Sequence, residues 1–493
     1  MSHISSHKNG RSGSTGLAVL ATLVLISSGA SAQPDRSAPP RLDAPPLLKL
    51  PPIQHLKLTN GMPVILLEKH AVPIAQINVV VRAGSTMDPS GKGGLASLTA
   101  AMLTEGAGAR GSLQLADAID FLGARISASA GQHTTGIQLN VPVARLDSAL
   151  ALLADVARRP AFPASELERK RKERLTTLVQ WRDEPTRLAS VAFSRALYGS
   201  THPYGNPSIG SEASLRSITA EDLRRFHANY FVPGNITLIV VGDVTPATLL
   251  PKLEKAFGAW KGKAAVPPPL PPITQIKDKF LTLIDKPGAA QSVIMIGRVG
   301  VPRLTEDYFP IVVMNTILGG SFSSRLNQNL REKHGYTYGA SSGFDFRPLA
   351  GPFVARSSVQ TAVTDKSLGE FMNELKGILE EVPDAEIARA RNYLALGYPG
   401  DFQTVGQIAG QLEELAVYNL PDDYFNGYIS RILAVTKDQV RKAAQKYITT
   451  ENLAFIVVGD RKEIEEGISA LNLAPMTTQS VEDVLGPAPD PGK

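Results

Sequence analysis

Residues 218–243, ITAEDLRRFHANYFVPGNITLIVVGD, align without a gap to residues 435–460, VTKDQVRKAAQKYITTENLAFIVVGD. The offset is 217 throughout. It matches Thr219 with Thr436, Arg224 with Arg441, Tyr230 with Tyr447, Asn235 with Asn452, and IVVGD at 239–243 with 456–460. Identities held at one offset over 26 positions mark a duplicated unit. Each copy reads as a helix, a turn and an apolar strand. The chain is therefore expected to form two related α+β halves, with strands at both ends of each and helices between.

Working outward, GKAAVPPPLPPIT (262–274) is a linker by composition, separating halves at 54–261 and 275–481. In the first half an Asn60-Gly61 turn precedes one apolar run, and PIAQINVVVRAG follows as another. Helices are expected at 113–123, 146–160, 164–183, 185–198, 219–230 and 245–259, with ARISASAGQHTTGIQLNVP alternating as paired strands. Residues 33–53 are Pro-rich and read as an extended strap. The tail at 482–493, EDVLGPAPDPGK, reads as disordered.

The net charge of +5 is small for 493 residues and shows no clustered basic face, so nucleic acid is not an expected partner. Lys8 and Arg11, the apolar run LAVLATLVLI (17–26) and Ala30-Ser31-Ala32 read as a signal peptide cleaved after Ala32. The mature chain is expected to be exported, to a periplasm or its equivalent, with no integral membrane span. Having no cysteine, it forms no disulfide and takes no lipid at a cysteine.

GKGGLASLTAAMLTE (91–105) stands out for what it lacks. Leu95, Leu98 and Met102 fall on one face at helical spacing, while the other carries Ser97, Ala100, Ala101 and Thr104. None of these four ionises, so the face either packs closely on a neighbour or has lost its functional groups. The basic run ERKRKER (168–174) has Glu166, Glu168 and Glu173 interleaved and reads as a solvated helix face. Among His55, His70, His133, His202, His227 and His334, no two stand at i,i+3 or i,i+4 spacing for a metal. His202 reads as part of the Pro-Tyr-Gly turn and His227 as a helix-surface residue.

A duplicated α+β half leading into AGSTMDPSGKGGLASLTAAML (83–103) resembles the insulinase/pitrilysin-type zinc metallopeptidases. The same likeness runs through THPYGNPSIGS (201–211), both IVVGD strands and DYFPIVVMNTILGGSFSSRLNQNLREKHGYTYGASS (307–342). It covers essentially all of the chain after about residue 50, and the last stretch is the most specific. The resemblance implies a clamshell of two homologous halves, each an α+β sandwich of antiparallel or mixed sheet and helices.

In active members the first-half helix carries H-x-x-E-H, two zinc ligands and a Glu that activates water. The register here puts Ser97, Ala100 and Ala101 at those positions, and none can ligate zinc or accept a proton. On the later charged helix, Lys170 and Thr177 stand where Glu is expected. The resemblance thus implies a degenerate site that is empty and neutral, with no catalytic residue in cis and no metal or cofactor held by this chain. The family also binds substrate near the scissile bond with an Arg and a Tyr seven residues apart. LREKHGYTYGA supplies Arg331 and Tyr338 in that register. A guanidinium and a phenol can each donate to a carbonyl oxygen. Without that context they read as an Arg at a helix C-terminus and a Tyr in a core strand. ARISASAG (124–131) matches the family's edge strand, which can take an extended peptide, and reads equally as an interior strand.

These features favour a non-catalytic pseudo-peptidase, similar to the non-catalytic subunits of two-subunit members such as mitochondrial processing peptidase. The expected partner is a homologous zinc-bearing subunit in a heterodimer, which would bring zinc, water and general base. This chain would bring Arg331, Tyr338 and a surface for the peptide substrate. The alternative is a peptide-binding or scaffold protein of the cell envelope with no role in proteolysis. A hydrolase using Ser97 as nucleophile lacks a histidine at local spacing to act as its base.

Overall fold

The computed structural model describes Pro45 and residues 47–490. The signal-peptide reading and residues 33–44 of the strap lie outside the described residues. The first sheet runs β1 (Gln54–Lys57), β2 (Pro63–Glu68), β8 (Ile236–Gly242), β3 (Ile74–Val81), β7 (Thr135–Pro142), β6 (Arg125–Ala130). The ribbon of β4 (Gly106–Ala107) and β5 (Arg110–Gly111) stands apart. The second sheet runs β14 (Met476–Gln479), β9 (Phe280–Asp285), β13 (Ala454–Gly459), β10 (Gln291–Val299), β12 (Pro352–Gln360), β11 (Thr337–Phe344).

The duplication holds down to strand register. Val64 pairs with Leu238 across parallel β2 and β8, and Leu281 with Phe455 across parallel β9 and β13, each 217 residues on. Gln76 opposite Val241 and Val293 opposite Val458 repeat that offset in the antiparallel pairs. β8 and β13 are buried along their whole lengths, which is why IVVGD reads as an unbroken apolar run. The outer strands break the symmetry. β1 pairs antiparallel with β2, whereas β14 pairs parallel with β9 and comes from beyond the repeat.

Helices α1 (Leu95–Met102), α2 (Ser112–Phe121), α3 (Leu146–Arg158) and α4 (Ala164–Trp181) cover the first sheet or pack on its cover. They are followed by α5 (Pro185–Tyr198), α6 (Glu212–Ser217), α7 (Ala220–Tyr230) and α8 (Pro246–Leu253). The second half has α9 (Tyr308–Leu318), the single turn α10 (Arg325–Asn327), α11 (Thr364–Gly377), α12 (Asp384–Gly397) and α13 (Val405–Tyr418). α14 (Tyr424–Ala434), α15 (Lys437–Tyr447), α16 (Arg461–Ala470) and α17 (Val481–Leu485) complete the chain. The repeated helices start alike: Thr219 and Thr436 accept the amides of Asp222 and Gln439 in matching capping boxes.

The halves exchange one helix each. α5 of the first half lies on β10 and β13 of the second sheet, where Leu188, Val191 and Phe193 share a core with Val293, Met295 and Ile456. α13 of the second half lies on β3 and β8 of the first sheet, joining Ile408, Leu412 and Leu415 to Ile65, Val80 and Ile239. The linker is therefore the boundary of the repeat and not of the packing. The result is an α+β fold of two homologous halves in a clamshell.

The tail corrects the sequence reading. Residues 481–485 form α17, and Val484 is 2% exposed against α5. Its place beyond the repeat left no counterpart from which to infer order. Among the described residues no helix is long and apolar enough to cross a membrane.

Candidate functional site

α1 starts at Gly94, in the left-handed region at φ +94°, where a Cβ would meet the Ile209 carbonyl oxygen at 2.5 Å. Glycine alone lets loop 208–210 lie that close to the helix. Asp88 caps this start from outside. Its Oδ2 accepts from the Gly94 amide at 2.8 Å and its Oδ1 from that of Ala96 at 2.7 Å. Burial pushes the Asp88 carboxyl up to about 7, against the pull of those amides and of Arg174.

Ser97 does not face an empty space. Its hydroxyl donates to the Ser208 carbonyl at 2.6 Å and accepts from Arg174 Nη1 of α4 at 2.8 Å. Ala100 is buried, Ala101 half-buried, and the Thr177 hydroxyl turns back on its own helix to the Glu173 carbonyl at 3.0 Å. Burial draws the Arg174 guanidinium down to about 10, with Asp88 and Glu173 pulling it back up. The expected empty, neutral pocket is thus corrected: a guanidinium fills the space beside Ser97. Zinc asks for imidazole, thiolate or carboxylate donors, and a serine beside a fixed cation does not fit it. Among the described residues no three His, Asp or Glu side chains converge on one point.

The charged run is also less solvated than it reads. Lys170 Nζ lies 3.0 Å from Glu105 Oε1, and Arg169 and the Ser112 hydroxyl reach the other oxygen at 2.7 and 2.8 Å. Burial works to raise the Glu105 pKa, but Lys170, Ser112 and Arg169 outweigh it and hold the carboxyl below its usual value. Where the resemblance called for Glu, this chain has a lysine paired to an acid on the facing loop. Arg171 donates to the Leu215 and Ile218 carbonyls. The interleaved pattern gave no sign of which bases point inward. One signal was available: Arg174 precedes Thr177 by three residues and so shares its face.

The histidines stay scattered. His202 sits in the turn as expected, with Nδ1 accepting the Tyr204 amide at 3.0 Å. His133 bonds the Tyr204 hydroxyl, and Arg347 of the second half covers that ring at 4.5 Å. His227 is not a plain surface residue: Nε2 donates to the Ala157 carbonyl at 2.9 Å and its ring stacks on Phe231.

Arg331 lies in the widened helical turn Gln328–Lys333, and its guanidinium covers the Phe322 ring at 4.4 Å. Tyr338 stands on β11, 92% exposed, so the core-strand reading does not hold. β11 is an edge of the second sheet, and β6 is the corresponding edge of the first, which decides the open question over 124–131. The two edges differ: on β11 the amides of Ala340 and Ser342 are already taken by the Asn327 side chain and the Gly319 carbonyl, so β6 is the edge suited to pair with an extended chain.

The family model described as Insulinase (Peptidase family M16) matches residues 63–210, and the one described as Peptidase M16 inactive domain matches residues 217–394. The uncharacterized zinc protease YmxG of Bacillus subtilis is 26% identical over 294 residues, 59% of this chain and 69% of that one. The non-peptidase homolog YmxG of Helicobacter pylori is 23% identical over 411 residues, 82% and 93% of the two chains. A solved peptidase M16 inactive domain from Pseudomonas fluorescens matches with a TM-score of 0.77 at 28% identity, covering 83% of this chain and 98% of that one. A protease from Helicobacter pylori shares the fold, with a TM-score of 0.76 at 20% identity over 83% and 100% of the chains.

Proposed function

The chain belongs to the insulinase family, peptidase family M16, and from that membership we propose that it is the non-catalytic subunit of a two-chain peptidase. The observation that carries this reading is an asymmetry. Arg174 stands against Ser97 at the first of the zinc-ligand positions, while Tyr338 stays exposed on an edge strand with Arg331 on the preceding turn. At 92% exposure Tyr338 contributes little to the fold, which leaves its hydroxyl available to a bound peptide.

In this reading a homologous partner subunit supplies zinc, the attacking water and the general base. This chain supplies one edge strand, β6, and two donors. An extended peptide pairs its main chain with β6, and the Arg331 guanidinium and Tyr338 hydroxyl donate to carbonyl oxygens near the bond to be cleaved. The reading includes export, with residues 1–32 as a leader removed after Ala32. The test is kinetic. The purified chain alone should show no chelator-sensitive peptidase activity. Mixed with its zinc-bearing partner, it should raise turnover, and Arg331→Ala and Tyr338→Phe should lower it. Unchanged turnover in both variants would instead support a peptide-binding or scaffold role outside proteolysis.

A further inference from the structure

The segment after β14 is held more like a bound peptide than like a core element. Three arginines of the first half take its main-chain carbonyls. Arg195 Nη1 donates to Val484 at 2.8 Å, Arg182 Nη1 to Gly486 at 2.8 Å, and Arg216 Nη2 to Asp490 at 2.7 Å. Arg182 also pairs with Glu482, and Glu212 holds Arg216 in place from the same helix. Val484 and Pro489 go deep, and Asp483 is spent capping its own helix through Ser480. Beside the segment a cavity of about 550 Å³ stays open, walled by Trp181, Arg195, Val484, Pro489 and the loop carrying Asp88. The buried Nε of Arg195 meets no acceptor. The groove therefore offers more donors and more room than its resident uses.

We propose that this groove is a binding site for acidic peptides that enter as a short helical turn followed by an irregular segment, and that residues 481–490 are its tethered occupant, displaceable in trans. Recognition through carbonyls tolerates many sequences. Selectivity comes from two apolar anchors and from an acid set against Arg182, as Val484, Pro489 and Glu482 show here. No residue of β6 or β11 lines this cavity, and the site stands whether or not the chain pairs with a peptidase.

The test uses the full chain with a protease site inserted between Gln479 and Ser480 and cut after folding. The released segment should stay bound at micromolar concentration and leave on dilution in high salt, with the remaining chain keeping its cooperative melt. A labelled synthetic peptide of residues 480–493 should then rebind, and Arg195→Ala and Arg216→Ala should each weaken it by about tenfold. In the uncut wild-type chain, excess of the same peptide should speed amide exchange in α17 by displacing it. Loss of the cooperative melt on release, no rebinding below about 1 mM, or unchanged exchange in the uncut chain would each overturn the proposal.

Discussion

Arg174 Nη1 lies 2.8 Å from the Ser97 hydroxyl, so a guanidinium stands beside the position where the family's first zinc ligand would be. The small face of α1 is what makes room for it, since Ser97, Ala100 and Ala101 carry nothing longer than a hydroxyl. Restoring the ligands alone would therefore place a metal cation against a fixed one. The variant Ser97→His, Ala100→Glu, Ala101→His, Thr177→Glu should bind zinc at least about tenfold more weakly than the same variant with Arg174→Leu added. Competition against a chelator of known affinity reads the difference, and equal affinities would sink the idea.

Asp88 gives stability a pH dependence of predictable sign. Its carboxyl keeps a proton to about pH 7 in the folded chain, whereas an unfolded aspartate releases it near 4. Unfolding between those values releases a proton, so this group lowers stability as pH rises through the window and adds no further change above it. His133 slopes the other way below about 6.5, because burial, with Arg347 and His202 adding to it, holds the ring down to about 4. The diagnostic is therefore a difference. Asp88→Asn should gain on wild type between pH 5 and pH 8 in urea titrations, and a constant gap would contradict the assignment.

Tyr338→Phe should leave the melting temperature where it is, with a change under about 0.5 kcal/mol, because an exposed hydroxyl stabilises almost nothing. In the reconstituted peptidase it should lower turnover by about tenfold or more, as loss of one donor to a developing oxyanion does. Calorimetry paired with turnover separates the two effects.

The helix exchange predicts that a cut in the linker frees nothing. After one cleavage within 262–274 the fragments should still elute together, because α5 and α13 each lie on the other half's sheet. Elution as two separate folded bodies would contradict the packing.

Leu188→Ala tests the same exchange from a single side chain. Leu188 is fully buried on a first-half helix, yet its truncation should destabilise by about 2–5 kcal/mol and speed amide exchange in β13 of the second half. Faster exchange confined to the first sheet would place its support elsewhere.

How much of this was legible in the sequence follows from where the signals lie. The offset of 217 carried the two halves into the strand registers of β2, β3 and β8, because buried central strands spell themselves as apolar runs. An amphipathic helix states that one face is covered and not by what, so α5 and α13 gave no sign of crossing over. Alternation in ARISASAG suits an edge and an interior strand equally, and only the sheet order settles it. Composition averaged Arg174 with its solvated neighbours, though one guanidinium of that run decides what the former metal position can hold.

The crossed helices also set an order on synthesis. The face of the first sheet that holds Ile65, Leu67, Val80, Ile239 and Val241 has no cover until α13, residues 405–418, has left the ribosome. The nascent chain must therefore carry a bare apolar face from the completion of β8 at residue 242 until α13 emerges, a state prone to aggregation and suited to a chaperone that holds rather than folds. A truncation before residue 405 therefore uncovers one face of the first sheet as well as shortening the second half.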